Sequence, residues 1–535
     1  MRTLLVSGGV LAALVAIVLG GCSDDGGGRG PDWWREPWSV PGGPWPACTS
    51  VSPPETLAQK AAYYDWAAVK LHQIPARLRD RTLVYDATLS APGPTTIVPD
   101  ADLPTPTYHQ ADNAGLWTSL YVASQAFRHA ATADPEALDN VRRTLRGTHD
   151  QMRITGVPGL YCRNLRDPTV PGCSCPADPA SYVPPGADMV GNRWVQLDAN
   201  GCAQTWDPAA AGGAGDWVTS DHCVGAEFAG FCWQRNVSKD EYSGHMFAAG
   251  VAARMVDDPE VQELARDVLA KGGHHLVDHG FFVTDYDGRH TRYGSAFAQS
   301  WDEVPGFNAL LALSWIRAGA TVAADPVLES TYHDCLLQEA GEVACIDQPN
   351  EQPLDYRVYL DRSIGLSLGC LTNYDNVSMA MLAYLNLIWY EPEAPRRAAY
   401  RAAFHAETRG PKTAGRDLWA DQNPFFNFIL VTAMEGEDEA AARTLVEDGV
   451  CSLERFPGDW LGHARDNTGL AEGTCPGSAD HPISIEDRCH GSFVWWNDPY
   501  SREVCDEVPT EATQPAAFLL PYWMARAFGF IAAEQ

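Results

Sequence analysis

The chain has 535 residues, of which 45% are hydrophobic and 10% aromatic, a composition that can bury a large core. The formal net charge of −31 argues against nucleic acid as a partner, because phosphate backbones bind to basic protein surfaces. The same charge disfavours a strongly anionic polymer as a substrate.

The amino-terminal segment predicts an exported, lipid-anchored protein. Residues 1–21 combine Arg2 with an apolar stretch and small residues before Cys22, a pattern that resembles a bacterial signal peptide and lipobox. We therefore expect cleavage before Cys22 and lipidation of its sulfur. This places the protein in the bacterial cell envelope, at the outer membrane or cell surface, with the lipid as its only membrane contact. The alternative is a transmembrane anchor, which needs a longer apolar run of ~20 residues.

Residues 22–54 are dense in Gly, Pro, Ser and Trp without periodicity, and they are interpreted as a tether to a folded domain over residues 55–535. The chain has 15 cysteines, and the number that remains after Cys22 is even. In an exported protein this indicates disulfides, which we expect to staple the Gly-, Pro- and Asp-rich loops. No CxxC pair occurs, so a metal site is not predicted. A cofactor is not predicted either, and the protein is expected to be a monomer.

Three segments of the chain share one pattern. They cover residues 112–156, 240–280 and 302–341. Each opens with an acidic residue, continues through an apolar run to an Asp-Pro pair, and ends in an amphipathic run closed by glycine. An uncharged run is typical of a helix buried on all sides, and Asp-Pro is a typical helix start. Each unit therefore predicts a buried helix followed by a surface helix.

Two looser units, 376–406 and 423–448, repeat the same contrast, and single helices are expected near 55–79 and 515–533. If the first helix pairs with the last, six helical hairpins close into a ring. The predicted fold is an all-α (α/α)6 toroid with disulfide-stapled loops. A short β-hairpin over 281–294, with its turn at Asp287-Gly288, is expected on the rim.

This hairpin architecture resembles the six-hairpin glycosidase superfamily, and more closely uncharacterised secreted bacterial proteins with that architecture. The stretches that carry the resemblance are DNAGLW (Asp112–Trp117), DEYSGHMFA (Asp240–Ala248), DYDGRHTRYG (Asp285–Gly294) and FLLPYWMARAFGF (Phe518–Phe530). The resemblance implies the toroid fold, whereas the chemistry has to be argued from individual residues, because a fold does not fix a function.

The candidate active site lies where the inner helices of the ring begin, since all of them point their amino-terminal ends to one rim. Glycoside hydrolysis needs two carboxylates, and we expect these to be Asp112 with Asp240 or Glu241. The alternative is that these acids only cap helices, although a cap needs one acid rather than two in succession. The expected substrate-binding residues are Trp117, Tyr242, His245, Asp285, Arg292, Glu303 and Asn376.

Three functions remain open from the sequence. The favoured one is a glycoside hydrolase acting on a neutral or weakly charged glycan. A polysaccharide lyase would instead use Tyr242 or His245 as a base and Arg292 with Asn376 to neutralise a uronate. The third is a non-catalytic surface protein that binds glycan or another protein, with a ring interior filled by side chains.

Overall fold

The structure is a computed structural model. It describes residues 34, 55–72, 82–84, 107–108, 112–170, 173–186, 191–300, 304–343, 345, 353–434, 438–456, 466–488, 497–504, 511–513 and 515–533. The predicted signal peptide, the lipidation site Cys22, the tether apart from Trp34, and Glu303 lie outside these residues. Among the helices that are described, we find none with both the length and the apolar character needed to cross a bilayer.

Six helices form an inner ring. They are α2 (Ala114–Thr132), α5 (Lys239–Met255), α7 (Pro305–Ala323), α9 (Tyr374–Tyr390), α11 (Pro424–Ala433) and α13 (Ala516–Ala527). Each contacts the next in this order, and α13 returns to α2, so the ring is closed. Most of their residues are buried, which explains why their sequences are apolar or small on every side.

Six outer helices surround this ring. They are α1 (Leu57–Ala67), α3 (Pro135–Arg153), α6 (Pro259–Asp278), α8 (Pro326–Ser330), α10 (Ala394–Thr408) and α12 (Glu439–Arg455). Helices α1 and α8 continue as π-helical stretches, Ala68–His72 and Thr331–Leu336. Each outer helix packs on the inner helix that precedes it, and α1 packs on α13. The predicted (α/α)6 toroid is therefore confirmed, including the pairing of its first and last helices.

The three Asp-Pro pairs begin outer helices, as predicted. Asp134, Asp258 and Asp325 each accept a hydrogen bond from a backbone N–H of the first turn, and a proline follows each of them. The aspartate satisfies a backbone donor that would otherwise lack a partner, and the proline fixes the helical φ angle. These local signals are what separate each inner helix from its outer helix.

Side-chain hydrogen bonds link the starts of neighbouring inner helices. At the start of α5, Lys239 Nζ donates to Asn308 Oδ1 of α7 at 3.1 Å. At the start of α9, the Tyr374 hydroxyl donates to Asp421 Oδ2, just before α11, at 3.1 Å. The inner helices therefore share one rim, as the sequence predicted.

The far end of the ring is filled. Helices α5 and α9 touch across it: Asn386 Nδ2 donates to Met246 O at 3.0 Å, and the Tyr390 hydroxyl donates to Gly250 O at 2.6 Å. A Cβ atom on Gly250 would lie 2.8 Å from Asn386 Nδ2, so a larger residue would displace the Asn386 amide. These contacts bring α5 and α9 together across the ring, away from the rim where the inner helices begin.

A five-stranded antiparallel sheet, inserted between α3 and α5, was not predicted. The strands are β3 (Leu165–Arg166), β4 (Trp194–Leu197), β5 (Cys202–Asp207), β6 (Asp216–Cys223) and β7 (Cys232–Gln234), with a short helical turn α4 (Ala210–Gly213) between β5 and β6. Their order in the sheet is β3-β7-β4-β5-β6, and all neighbours are antiparallel. One face of the sheet, which includes Leu165, Val195 and Trp233, packs on Ile154 after α3. The sheet is thereby fixed to the rim of the ring.

The smaller elements complete the fold. The predicted rim hairpin is confirmed as β8 (Phe282–Thr284) and β9 (His290–Ser295). A third sheet pairs β1 (Thr82–Val84) with β2 (Thr107–Tyr108) and β10 (Glu511–Thr513). The 3₁₀ helices are Pro179–Tyr182, Ala226–Phe228, Tyr356–Arg362, Leu366–Leu371, Thr413–Gly415 and Ile485–Asp487.

Disulfides join loops, short strands and short helical turns within the described part of the chain. The bridges are Cys175–Cys232, Cys202–Cys223, Cys335–Cys345 and Cys370–Cys475. They indicate folding in an oxidising compartment, outside the cell or in the periplasm. The expectation that every cysteine after Cys22 is paired is wrong, because Cys162 carries a thiol in the core beneath the sheet. Burial raises the pKa of this thiol well above its usual value, which disfavours the reactive thiolate.

Candidate active site

Asp112, Asp240 and Glu241 lie together at the rim, at the starts of the adjacent inner helices α2 and α5. Asp112, two residues before α2, is exposed, and Asp240, in the first turn of α5, is half-buried. Glu241 is completely buried. Three carboxyl groups therefore occupy one region of the rim in three different environments.

Ser238, the residue that caps α5, connects two of these carboxyl groups. Its Oγ lies 2.5 Å from Asp240 Oδ2 and 2.6 Å from Glu241 Oε2. A serine hydroxyl has one hydrogen and can donate it to only one of these oxygens. A proton on Glu241 supplies the second hydrogen: Glu241 then donates to Ser238 Oγ and Ser238 donates to Asp240 Oδ2, so that the three groups can share this proton.

The buried position of Glu241 explains why this proton is retained. Removal from water raises the pKa of Glu241 to about 7, and the negative charge of Asp240 adds to the rise. Arg163, whose Nη1 lies 3.5 Å from Glu241 Oε1, and the hydrogen bonds from Ser238 oppose it. A carboxyl group that stays protonated near neutral pH is a potential proton donor.

Arg163 also joins the starts of the two helices. Its Nη1 donates to Asp112 O at 2.9 Å and to Asn113 Oδ1 at 2.7 Å, while its Nε donates to Asn236 O at 2.6 Å. Its side chain is almost wholly buried. Above it, Gln234 Nε2 donates to Asp112 Oδ1 at 2.8 Å. These bonds hold Asp112 in place beside the Asp240–Ser238–Glu241 group.

Three predicted substrate-binding residues lie beneath the carboxyl groups rather than on the surface. Trp117, Tyr242 and His245 are all buried. The Tyr242 hydroxyl donates to Gly159 O, and His245 Nδ1 is hydrogen-bonded to Ser119 Oγ at 2.8 Å. Burial lowers the pKa of His245 to about 3, so its imidazole is neutral at physiological pH. These three side chains form the packed floor of the site, in the protein interior directly beneath the carboxyl groups.

Gly115 allows this floor to pack closely. A Cβ atom at Gly115 would lie 3.0 Å from His245 Nε2, 3.1 Å from Gln151 Nε2 and 3.2 Å from Glu241 Cγ. Such distances are shorter than normal carbon contacts, so a larger residue would displace these side chains. The glycine of the DNAGLW stretch is therefore explained by the approach of α5 to α2.

The other predicted binding residues are dispersed. Arg292 is exposed on β9, with its guanidinium 5.5 Å from the centre of the Tyr293 ring, and Asn376 is half-buried in the first turn of α9. Asp285 is buried and accepts a hydrogen bond from Arg235 Nε at 3.1 Å. In this position Asp285 anchors the rim hairpin to the segment before α5.

We expect Asp285→Asn to lower the free energy of unfolding by about 1–3 kcal/mol, because it leaves the buried Arg235 guanidinium without one of its charged partners. Urea denaturation followed by circular dichroism would measure the loss. Asp221→Asn, an exposed aspartate on β6, is the control and should change stability little. Equal stability of the two variants would contradict an anchoring role for Asp285.

Sequence analysis missed three residues of the site: Ser238, Arg163 and Gln234. Ser238 had a signal, because Ser-x-x-Glu before a helix is the capping-box pattern, and the structure has both of its hydrogen bonds. Arg163 and Gln234 had none, because they lie in the short strands and loops of the inserted sheet.

The comparisons with known proteins are limited. No family model matches the sequence, and no curated protein matches it. Among solved structures, a single-mutant thermostable endoglucanase from Alicyclobacillus acidocaldarius is similar at 12% identity and a TM-score of 0.37. The alignment covers 89% of this chain and 84% of that chain. A likeness this distant carries no argument about the chemistry of the present protein.

Proposed function

We propose that the protein is a glycoside hydrolase that acts on a neutral or weakly charged glycan at the rim where α2 and α5 begin. The observation that carries the proposal is the pair of short contacts from Ser238 Oγ to Asp240 Oδ2 and to the buried Glu241 Oε2, beside the exposed side chain of Asp112. One protonated and one accessible carboxyl group are the pair that glycosidic bond cleavage requires.

In this mechanism the half-buried Asp240 is the acid and the exposed Asp112 is the base. Asp112 takes a proton from water as the water oxygen bonds to the anomeric carbon. The glycosidic C–O bond breaks, and the leaving oxygen receives the proton of Asp240. This proton comes from Glu241: it reaches Asp240 through the Ser238 hydroxyl, which gives up one hydrogen and accepts another. Asp112 afterwards releases its proton to the solvent and Glu241 takes one up, which restores the starting state. Glu241 is a positioning residue, since it has no exposed surface with which to touch a substrate.

Turnover is expected to decline as the pH rises through about 7, the pKa of Glu241, because the shared proton is then lost. The ordinary pKa of glutamate is 4.5, so the folded state binds this proton more tightly than the unfolded state does. The free energy of unfolding should therefore fall as the pH rises from 4.5 through 7, by at most ~3 kcal/mol. Glu241→Gln should remove this pH dependence both from turnover and from the free energy of unfolding.

The measurements are a pH–rate profile on a panel of glycans and denaturation at pH 5 and pH 8. Glu263→Gln, on the exposed face of α6, is the matched control and should retain the pH dependence of the parent. If Glu241→Gln and the parent responded to pH in the same way, Glu241 would have no part in holding the proton.

A non-catalytic glycan-binding protein is the second candidate. One observation favours it: Glu241 accepts hydrogen bonds from both the backbone N–H and the hydroxyl of Ser238, as in a purely structural helix cap. This candidate predicts glycan binding with no turnover at any pH. The lyase alternative gains no support, because its proposed bases, Tyr242 and His245, are buried.

A further inference from the structure

A row of three tryptophans crosses the inserted sheet, starting next to Asp112. Trp194 on β4 is paired with Gln234 on β7, and Trp206 on β5 is paired with Trp217 on β6. The register of β4 with β5, Gln196 opposite Gln204, places Trp194 opposite Trp206 two residues further along. Residues that are directly opposite in a sheet point to the same face. The row therefore reads Gln234, Trp194, Trp206, Trp217.

The row begins at the candidate active site, because Gln234 is the residue that donates a hydrogen bond to Asp112 Oδ1. Its face of the sheet is opposite to the face that packs on the ring, which includes Val195 and Trp233. With neighbouring strands ~4.8 Å apart, the row extends ~14 Å from β7 to β6. A ligand that contacts both Trp217 and Asp112 has to span this distance, which exceeds one sugar ring.

The exposure of the row increases away from the ring. Trp194 is 1% exposed, Trp206 is half-buried, and Trp217 is 36% exposed. Trp217 is held in place by ring contacts with Tyr182 at 4.9 Å and with Trp206 at 5.7 Å. Beside the tryptophans, Gln204 Nε2 donates to Thr219 Oγ1 at 2.8 Å on the same face. The indole N–H of Trp194 has no hydrogen-bond acceptor among the described residues.

The charge of this region restricts what binds there. Residues 194–234 include five acidic residues and no lysine or arginine. Arg166 of β3 lies over the Trp194 ring, at 5.9 Å from its centre, but is almost completely buried. The surface would therefore repel an anionic polymer, whereas the flat faces of aromatic rings suit the apolar faces of neutral sugars.

We propose that the exposed outer end of this row, Trp217 with the half-buried Trp206, binds a neutral polysaccharide whose chain extends to Asp112 and Asp240. The inference rests on the proposed function and extends it, because it makes the substrate a neutral polymer rather than a short oligosaccharide. Trp217 is its outermost contact, and Gln204 and Thr219 supply hydrogen bonds to sugar hydroxyls.

The experiment is affinity gel electrophoresis in soluble neutral polysaccharides: a β-glucan, an α-glucan, a mannan and a xylan. We compare the parent with Trp217→Ala, Trp217→Phe, Val218→Ala and Asp112→Asn. Val218 is the control, because it is 47% exposed and points to the opposite face of the same strand. Trp217→Ala should weaken binding to one neutral polysaccharide by about tenfold, while Trp217→Phe retains part of it and Val218→Ala all of it.

Asp112→Asn separates this inference from the proposed function. It should bind the polysaccharide as the parent does while failing to hydrolyse it. Binding of Trp217→Ala equal to that of the parent would overturn the tryptophan row and leave the hydrolase proposal standing. The tryptophan row would also be overturned if none of the four polymers retarded the parent. The same holds if polygalacturonate, an anionic polymer run alongside them, retarded the parent as much as the neutral polymers do. Full turnover by Asp112→Asn would instead overturn the hydrolase mechanism without affecting the binding result.

Discussion

Replacement of Asp112 or Asp240 with asparagine is expected to lower glycan hydrolysis by about 10²–10⁴-fold. Asparagine keeps the size of the side chain but neither accepts a proton from water nor donates one to a leaving oxygen. The two variants should be impaired in different ways. Asp240→Asn should hydrolyse glycans with good leaving groups better than ordinary glycans, because such leaving groups need less protonation, whereas Asp112→Asn should be slow on both.

Reducing-end release from the glycan panel measures this effect, with aryl glycosides as the substrates that have good leaving groups. Asp139→Asn on α3 is the control, since this exposed aspartate lies on an outer helix away from the site. Circular dichroism of all the variants establishes that they are folded. Parent-like turnover by Asp112→Asn and Asp240→Asn would remove both residues from the mechanism.

Arg163→Met is expected to lower the free energy of unfolding by about 3–5 kcal/mol, the largest stability effect that we predict. The substitution leaves three oxygen acceptors, on Asp112, Asn113 and Asn236, without their donor. It also removes a positive charge that lowers the pKa of Glu241, so this pKa should rise further above about 7. The alkaline limit of activity should therefore move to higher pH in the variant.

Chemical denaturation and the pH–rate profile measure the two effects. Arg153→Met is the control, because its side chain is 50% exposed and its ion pairs with Asp150 and Glu227 lie at the surface, where such pairs contribute little. Arg163→Lys should fall between the parent and Arg163→Met, since an ammonium group cannot reproduce the planar geometry of guanidinium. A loss below 1 kcal/mol in Arg163→Met would show that these bonds do not hold the two helices together.

The ring was predictable because its units repeat, and because the inner helices carry few charged residues whereas the outer helices carry many on one face. The run before Arg254 in α5 has few charges, whereas α6 has charges on one face, and Asp258 with Pro259 separates the two. The inserted sheet was not predictable in the same way. Its strands are two to eight residues long, and every residue of β6 from Asp216 to Asp221 is exposed, so no alternation of burial marks it.

The positions of the candidate carboxyl groups followed from the sequence, but their environments did not. Asp240 and Glu241 are adjacent, and consecutive residues differ by about 100° around a helix. One therefore points towards solvent and the other into the protein, and which one does so depends on where α2 and Arg163 lie. His245 follows Glu241 by four residues and shares its buried face.

The pairing of α1 with α13 has a consequence for the order of folding. The Trp523 indole N–H donates to Asp65 Oδ2 at 3.1 Å across 458 residues, and Lys60 Nζ donates to Glu454 O at 2.7 Å across 394 residues. Contacts between such distant residues carry the largest loop-closure cost and form late. Hairpins along the chain can assemble as local units, but α2 obtains its second inner neighbour only when α13 arrives. The ring therefore stays open during most of folding, and it closes when α13 packs between α11 and α2.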